Sequence, residues 1–100
     1  MHARVARFEG GAADQVRQMV DEIRERAGSG PPEGVPAVGL LLLHRADEGK
    51  VMSISLFETE EDLRQGDETL NSMSPPEDSG VRRTSVEMYE VGVKLDAPGR

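Results

Sequence analysis

Few side chains in this sequence are of the types that perform catalysis. The 100 residues include two histidines, His2 and His44, and no cysteine, which excludes thiol nucleophiles and Cys-based metal sites. His2 lies at a terminus that should fray, and His44 is expected at the surface of a hairpin. Because no carboxylates cluster at metal-ligand spacing, we expect neither a metal ion nor another cofactor.

Two arginines near the N-terminus are stronger candidates for a binding role. Arg4 and Arg7 fall on opposite faces of a predicted first strand, which should be central in the sheet, so one of them should be at least partly buried. A buried arginine needs a carboxylate partner or an anionic ligand. Pairing with Glu87 or Glu90 on the last strand is the structural interpretation, and a clamp for a carboxylate or phenolate ligand is the functional one.

Two serines and a tyrosine could add polar groups to a pocket. Ser53 and Ser55 share one face of a predicted third strand, and they either mark a place where another element packs closely or line a small pocket. No His or Lys is placed in the sequence to activate them, so we do not expect a nucleophile. Tyr89 either donates a hydrogen bond inside a pocket or occupies a half-exposed sheet position.

These candidates must be positioned by a small number of helices and strands. Apolar residues recur at helical spacing from Asp14 to Ala27 and predict a first helix. A second helix should begin at Thr59, where residues 59–62 resemble a capping box. Gly66 lies on the inner stripe of that helix, which should therefore approach the sheet closely. Strands are predicted over residues 4–8, 37–45, 50–57 and 84–95.

The order βαββαβ predicts an α+β, ferredoxin-like fold in a single domain over residues 1–100, with a four-stranded antiparallel sheet and both helices on one face. A sheet face open to water should be polar at alternate positions, but residues 38–43 place apolar side chains in both directions. We therefore predict that a second copy covers the open face, giving a homodimeric α+β barrel. The alternative is that loop 28–36 or the C-terminal segment folds over it.

Composition and charge limit the partners. The net charge of −7 argues against nucleic acid or an anionic membrane, because both would repel the chain. The apolar run 38–43 is far shorter than a membrane span, and the N-terminus has no apolar stretch of signal-peptide length. A cytoplasmic protein is expected. Strand 50–57 lacks the stacking aromatics of RNA-recognition sheets.

Two segments resemble the antibiotic biosynthesis monooxygenase-like domains. Residues 53–63 (SISLFETEEDL) are similar to that family's junction between the third strand and the second helix. There an aromatic residue ends the strand, and Ser or Thr with an acidic residue caps the helix. Residues 85–91 (SVEMYEV) resemble its last strand. The resemblance implies a dimeric α+β barrel with a pocket between the sheet and the helices of each subunit.

Members of that family differ in activity. Some oxidise polycyclic aromatic substrates without metal or flavin, and others degrade haem with an Asn on the first strand, a Trp ending the third strand and a His on the second helix. The matching strand end here is Phe57, Trp is absent, and the one Asn is Asn71, late in a helix that has no His. Haem degradation is therefore not expected.

The main hypothesis is a dimer that binds a small, partly apolar or aromatic molecule, with no catalysis assigned. The alternatives are a cofactor-independent monooxygenase acting on a phenolic or quinoid substrate, and a small-molecule-sensing regulatory module of the ACT type. Segment 74–80 is the candidate lid. The residues expected to form the pocket are Arg4, Ser53, Ser55, Phe57, Leu63, Met73 and Tyr89.

Overall fold

A computed structural model describes residues 1–73 and 80–97. The elements follow the predicted order βαββαβ: β1 (His2–Gly10), α1 (Ala13–Ala27), β2 (Gly39–Arg45), β3 (Lys50–Phe57), α2 (Glu60–Asn71) and β4 (Val81–Glu90). The sheet order is β2-β3-β1-β4, and each neighbouring pair is antiparallel. The predicted α+β, ferredoxin-like arrangement with β1 at the centre is confirmed.

The end of β4 differs from the prediction. The alternating pattern predicted a strand that continues to residue 95, but β4 ends at Glu90, which pairs with His2 at the start of β1. One more backbone bond follows, from the Val91 N–H to the Met1 carbonyl. Residues 92–97 form no strand.

Both helices pack on the same face of the sheet, and they divide the core into two clusters. In β1 and β3 the residues that contact the helices occupy alternate positions and pair with one another, so their side chains lie on one face of the sheet. The first cluster lies under α1 and consists of Val16, Met19, Val20, Ala46, Val51 and Val81. The second lies under α2 and consists of Val35, Phe57 and Leu63.

The start and the close approach of α2 follow from two residues that the sequence singled out. The Thr59 hydroxyl accepts a hydrogen bond from the Asp62 N–H over 3.1 Å, which caps the helix. Gly66 faces Phe57 so closely that a Cβ atom there would lie 2.4 Å from the ring. Phe57 is fully buried, so the glycine sets the distance between the helix and the sheet.

The opposite sheet face, which we call the open face, is largely apolar. By register it carries Val5 of β1, Leu41 and Leu43 of β2, and Ile54 and Leu56 of β3. Leu41 and Leu43 are each about half exposed, at 53% and 47%. None of the helices in the described part of the chain has the length and apolar character needed to cross a membrane.

Replacing Gly66 should test the close packing of α2. Gly66→Ala adds about 1 kcal/mol of helix propensity, but the new methyl group must displace the Phe57 ring, and overpacking typically costs about 1–3 kcal/mol. We expect a net decrease in the free energy of unfolding in urea. Gly28→Ala is the matched control, because its Cβ would meet no atom closer than 3.8 Å. An unchanged midpoint for Gly66→Ala would contradict this account.

The cap of α2 gives a second prediction. Thr59→Ala should lower the free energy of unfolding by about 1 kcal/mol, because the Asp62 N–H loses its acceptor. Thr59→Ser keeps the hydroxyl and should retain most of the stability. Equal urea midpoints for the Ala and Ser variants would show that this hydrogen bond does not contribute.

Candidate functional site

A cleft of about 820 Å³ separates the two core clusters. Its walls are α1 and the end of α2, and its floor is the helix-facing side of the sheet. At the centre of the floor Ala6 of β1 pairs with Ser53 of β3, and these two small side chains leave the space between the helices unfilled. Apolar residues form much of the remaining lining: Phe8, Met19, Ile23, Leu40, Leu42, Val51, Leu70, Met73 and Val81.

Arg4 anchors the polar end of this cleft. Its side chain is 4% exposed, and its Nε donates to Asp67 Oδ1 over 2.9 Å. Its Nη2 donates to Asn71 Oδ1 over 3.1 Å. Both acceptors belong to α2, one turn apart. The predicted burial of one arginine is confirmed, but its partners are on the helix, whereas Glu87 pairs with Arg7.

Asn71 connects Arg4 to a second guanidinium group. Arg83 of β4 donates from Nη1 to the same Asn71 Oδ1 over 2.7 Å. One neutral amide oxygen therefore accepts from two cations, while Asp67 provides the carboxylate for Arg4 alone. The chain Asp67–Arg4–Asn71–Arg83 links α2 to both central and edge strands and orients two guanidinium groups at the cleft.

The structure separates the predicted pocket residues into three groups. Arg4, Ser53 and Met73 line the cleft. Ser55, Phe57 and Leu63 are buried near it, the last two within the α2 cluster. Tyr89 pairs in register with Ala3 and lies on the open face, away from the cleft.

Tyr89 belongs to a polar group on the open face. Its hydroxyl donates to Glu87 Oε2 over 2.5 Å, and Arg7 donates to the other oxygen of that carboxylate. The hydrogen bond from Tyr89, and then the one from Arg7, lowers the pKa of Glu87. The same bond to Glu87 raises the pKa of Tyr89. These shifts favour a charged Glu87 and a neutral Tyr89.

Two further expectations concern the lid and metal binding. Residues 74–79, most of the predicted lid, lie outside the described residues. Within residues 1–73 and 80–97, no three His, Asp or Glu side chains are grouped so as to hold a metal ion.

Sequence reasoning missed Asp67, Asn71 and Arg83. The first two had a signal: Asp67 and Asn71 lie four and eight residues after Leu63, which places them on the inner side of α2. Polar residues at such positions indicate a buried partner on the facing strand. Arg83 had no comparable signal, because its orientation depends on an irregularity in the pairing of β4.

Comparisons with known proteins support the fold. Neither the family models nor the curated proteins give a match. A candidate antibiotic biosynthesis monooxygenase from Deinococcus radiodurans superposes with a TM-score of 0.58 at 12% identity, covering 99% of this chain and 100% of that one. SnoaB, a cofactor-independent oxygenase from Streptomyces nogalater, gives a TM-score of 0.53 at 14% identity, covering 96% and 97%. The chain therefore has the fold of the antibiotic biosynthesis monooxygenase-like domains.

Proposed function

We propose that this protein is a homodimer in which each subunit binds a small, partly apolar molecule in the cleft between α1 and α2. The observation that carries the proposal is the cleft itself. Its volume of about 820 Å³ falls in the range of small-molecule sites, roughly 300–1,000 Å³. A chain of 100 residues has a thin core, so leaving a cleft of this size gives up side-chain packing that would stabilise the fold.

The lining supports an amphipathic ligand. Met19, Ile23, Leu42 and Leu70 provide apolar contacts from both helices and from β2. Polar groups are grouped at Arg4, where the guanidinium is held by α2. An apolar wall with a few fixed polar groups is the usual composition of a small-molecule pocket. The apolar wall supplies affinity, and the polar groups orient the ligand.

Binding of a neutral apolar probe tests the proposed site. N-phenyl-1-naphthylamine should bind the native protein with increased fluorescence and micromolar affinity. Ser53→Phe fills the centre of the floor and should weaken binding at least about tenfold. The probe would lose apolar contacts with the cleft that are worth about 1.5 kcal/mol or more.

Ser29→Phe is the matched control, because Ser29 is exposed in the loop after α1. It should leave probe binding unchanged. Far-UV circular dichroism establishes that both variants are folded. If the native protein shows no saturable binding, or if both variants bind like the parent chain, the cleft is not the binding site.

Dimer formation is proposed because the open face lacks a cover within the described chain. The loop after α1 packs on the other face, where Val35 joins Phe57 and Leu63 and the Gly34 carbonyl accepts from Thr69 Oγ1. Residues 92–97 are exposed. A contiguous apolar face of this kind indicates a protein interface. A second copy can cover it with its own open face, as in a two-fold symmetric dimer.

The oligomeric state can be tested on the edge strand β2. Light scattering coupled to gel filtration should give about twice the 10.9 kDa chain mass. Leu41→Glu should shift the protein to the monomer, because a carboxylate would be buried in the interface. Leu40→Glu, on the opposite face of the same strand, is the control and should remain a dimer. A monomeric parent chain would refute the dimer.

A second candidate function is cofactor-independent oxygenation of a phenolic or quinoid substrate. SnoaB, which has this fold, is described as a cofactor-independent oxygenase. The supporting observation in this chain is Glu22 of α1, an exposed residue that lines the cleft together with Arg4. A carboxylate and a guanidinium could respectively accept a proton from a phenol and stabilise its anion. Oxygen consumption in the presence of bound phenols would distinguish an oxygenase from a binding protein.

A further inference from the structure

The pairing of β4 with β1 contains a bulge that changes the direction of one side chain. Arg7 pairs with Ser85, but the next residue, Phe8, pairs with Arg83, so Thr84 is the extra residue. In a regular strand Arg83 would share a face with Ser85, since side chains alternate. The bulge instead turns Arg83 toward the helix-facing side, opposite Phe8.

The bulge is held in place by its own side chain. Thr84 Oγ1 donates to the Arg7 carbonyl over 3.2 Å, so the backbone group at the irregularity has a partner. Bulges of this kind commonly re-aim a side chain next to a functional site. Here the side chain that is re-aimed is Arg83, which lines the cleft.

Arg83 is oriented at the cleft, where none of the described carboxylates neutralises its charge. Its hydrogen bond goes to the neutral amide oxygen of Asn71, and that oxygen also accepts from Arg4. Asp67 bonds to Arg4. Among the described residues Arg83 forms no ion pair, so its remaining N–H groups can bind an anion.

The charge of the cleft is opposite to that of the molecule. The described lining includes four arginines and one carboxylate, Glu22, in a chain with a net charge of −7. Arg82 pairs with Glu9 in the register and belongs to the other face, and Asp67 neutralises Arg4. The positive charge of the lining therefore comes from Arg26 and Arg83, which outnumber the one carboxylate. Their local positive potential favours an anion over a neutral molecule of the same shape.

We infer that the ligand of the cleft is an organic anion, with an apolar body between the helices and a carboxylate, sulfonate or phenolate group on the Arg83 guanidinium. This inference rests on the proposed binding function and specifies the chemical class of its ligand. Asn71 positions Arg83, and the planar guanidinium can donate to the single oxygen of a phenolate or to two oxygens of a carboxylate or sulfonate.

Two probes that differ by one anionic group test the inference. N-phenyl-1-naphthylamine is neutral, and 8-anilino-1-naphthalenesulfonate has the same aromatic body with a sulfonate. In Arg83→Gln the affinity for the sulfonate should fall about tenfold, because a charge-assisted hydrogen bond is lost. The affinity for the neutral probe should change less than about twofold in the same variant. Added salt should lower the affinity for the sulfonate probe and leave that for the neutral probe unchanged.

Arg24→Gln is the matched control, since Arg24 lies on the solvent side of α1 and pairs with Asp21; it should bind both probes like the parent chain. Arg83→Lys keeps the charge without the planar fork and should give an intermediate affinity for the sulfonate. If Arg83→Gln lowers the affinity for both probes equally, or for neither, the inference is wrong while the cleft remains a binding site. If neither probe binds the parent chain, the proposed function itself fails.

Discussion

The buried ion pair between Arg4 and Asp67 is the interaction on which the rest of this structure depends. A guanidinium on the central strand is removed from water, which is unfavourable unless a carboxylate and further acceptors replace the lost solvent. The two acceptors, Asp67 and Asn71, lie on the inner side of α2. Their hydrogen bonds to Arg4 therefore fix the position of this helix on the sheet. Ser55, opposite Arg4 in the register of β1 and β3, leaves room for the large side chain.

The cleft follows from the way the two helices attach. Helix α1 packs on one cluster of apolar residues, and α2 is held at its own cluster by the Gly66–Phe57 contact and by Arg4. Between them the floor consists of the Ala6–Ser53 pair, which is too small to fill the space. Larger side chains at these two positions would close the core and join the clusters. The sequence thus keeps an opening where a domain of this size would gain stability from filling it.

The element order, the central position of β1, the cap at Thr59 and the close approach at Gly66 could be predicted from the sequence, because each depends on local patterns or on short-range geometry. The site could be predicted only in part. Strand alternation predicted that either Arg4 or Arg7 is buried and that Ser53 and Ser55 share a face. It could not distinguish Ser53, which lines the cleft, from Ser55, which is buried, and it gave no sign that Phe57 and Leu63 pack with Val35 in the α2 cluster. Arg83 depends on a single extra residue in β4, and a change of register by one residue reverses every side chain beyond it.

The two faces of the sheet differ in how their charged side chains are paired, and this difference affects what each face can bind. On the open face Arg7 pairs with Glu87, which also accepts from Tyr89, so the polar groups satisfy one another within one chain. These three groups can therefore be covered by an apolar surface without leaving a charge unpaired among them. On the helix-facing side the acceptor of Arg83 among the described residues is the neutral amide of Asn71. The arrangement is therefore compatible with a protein interface on one face and an anionic small molecule on the other.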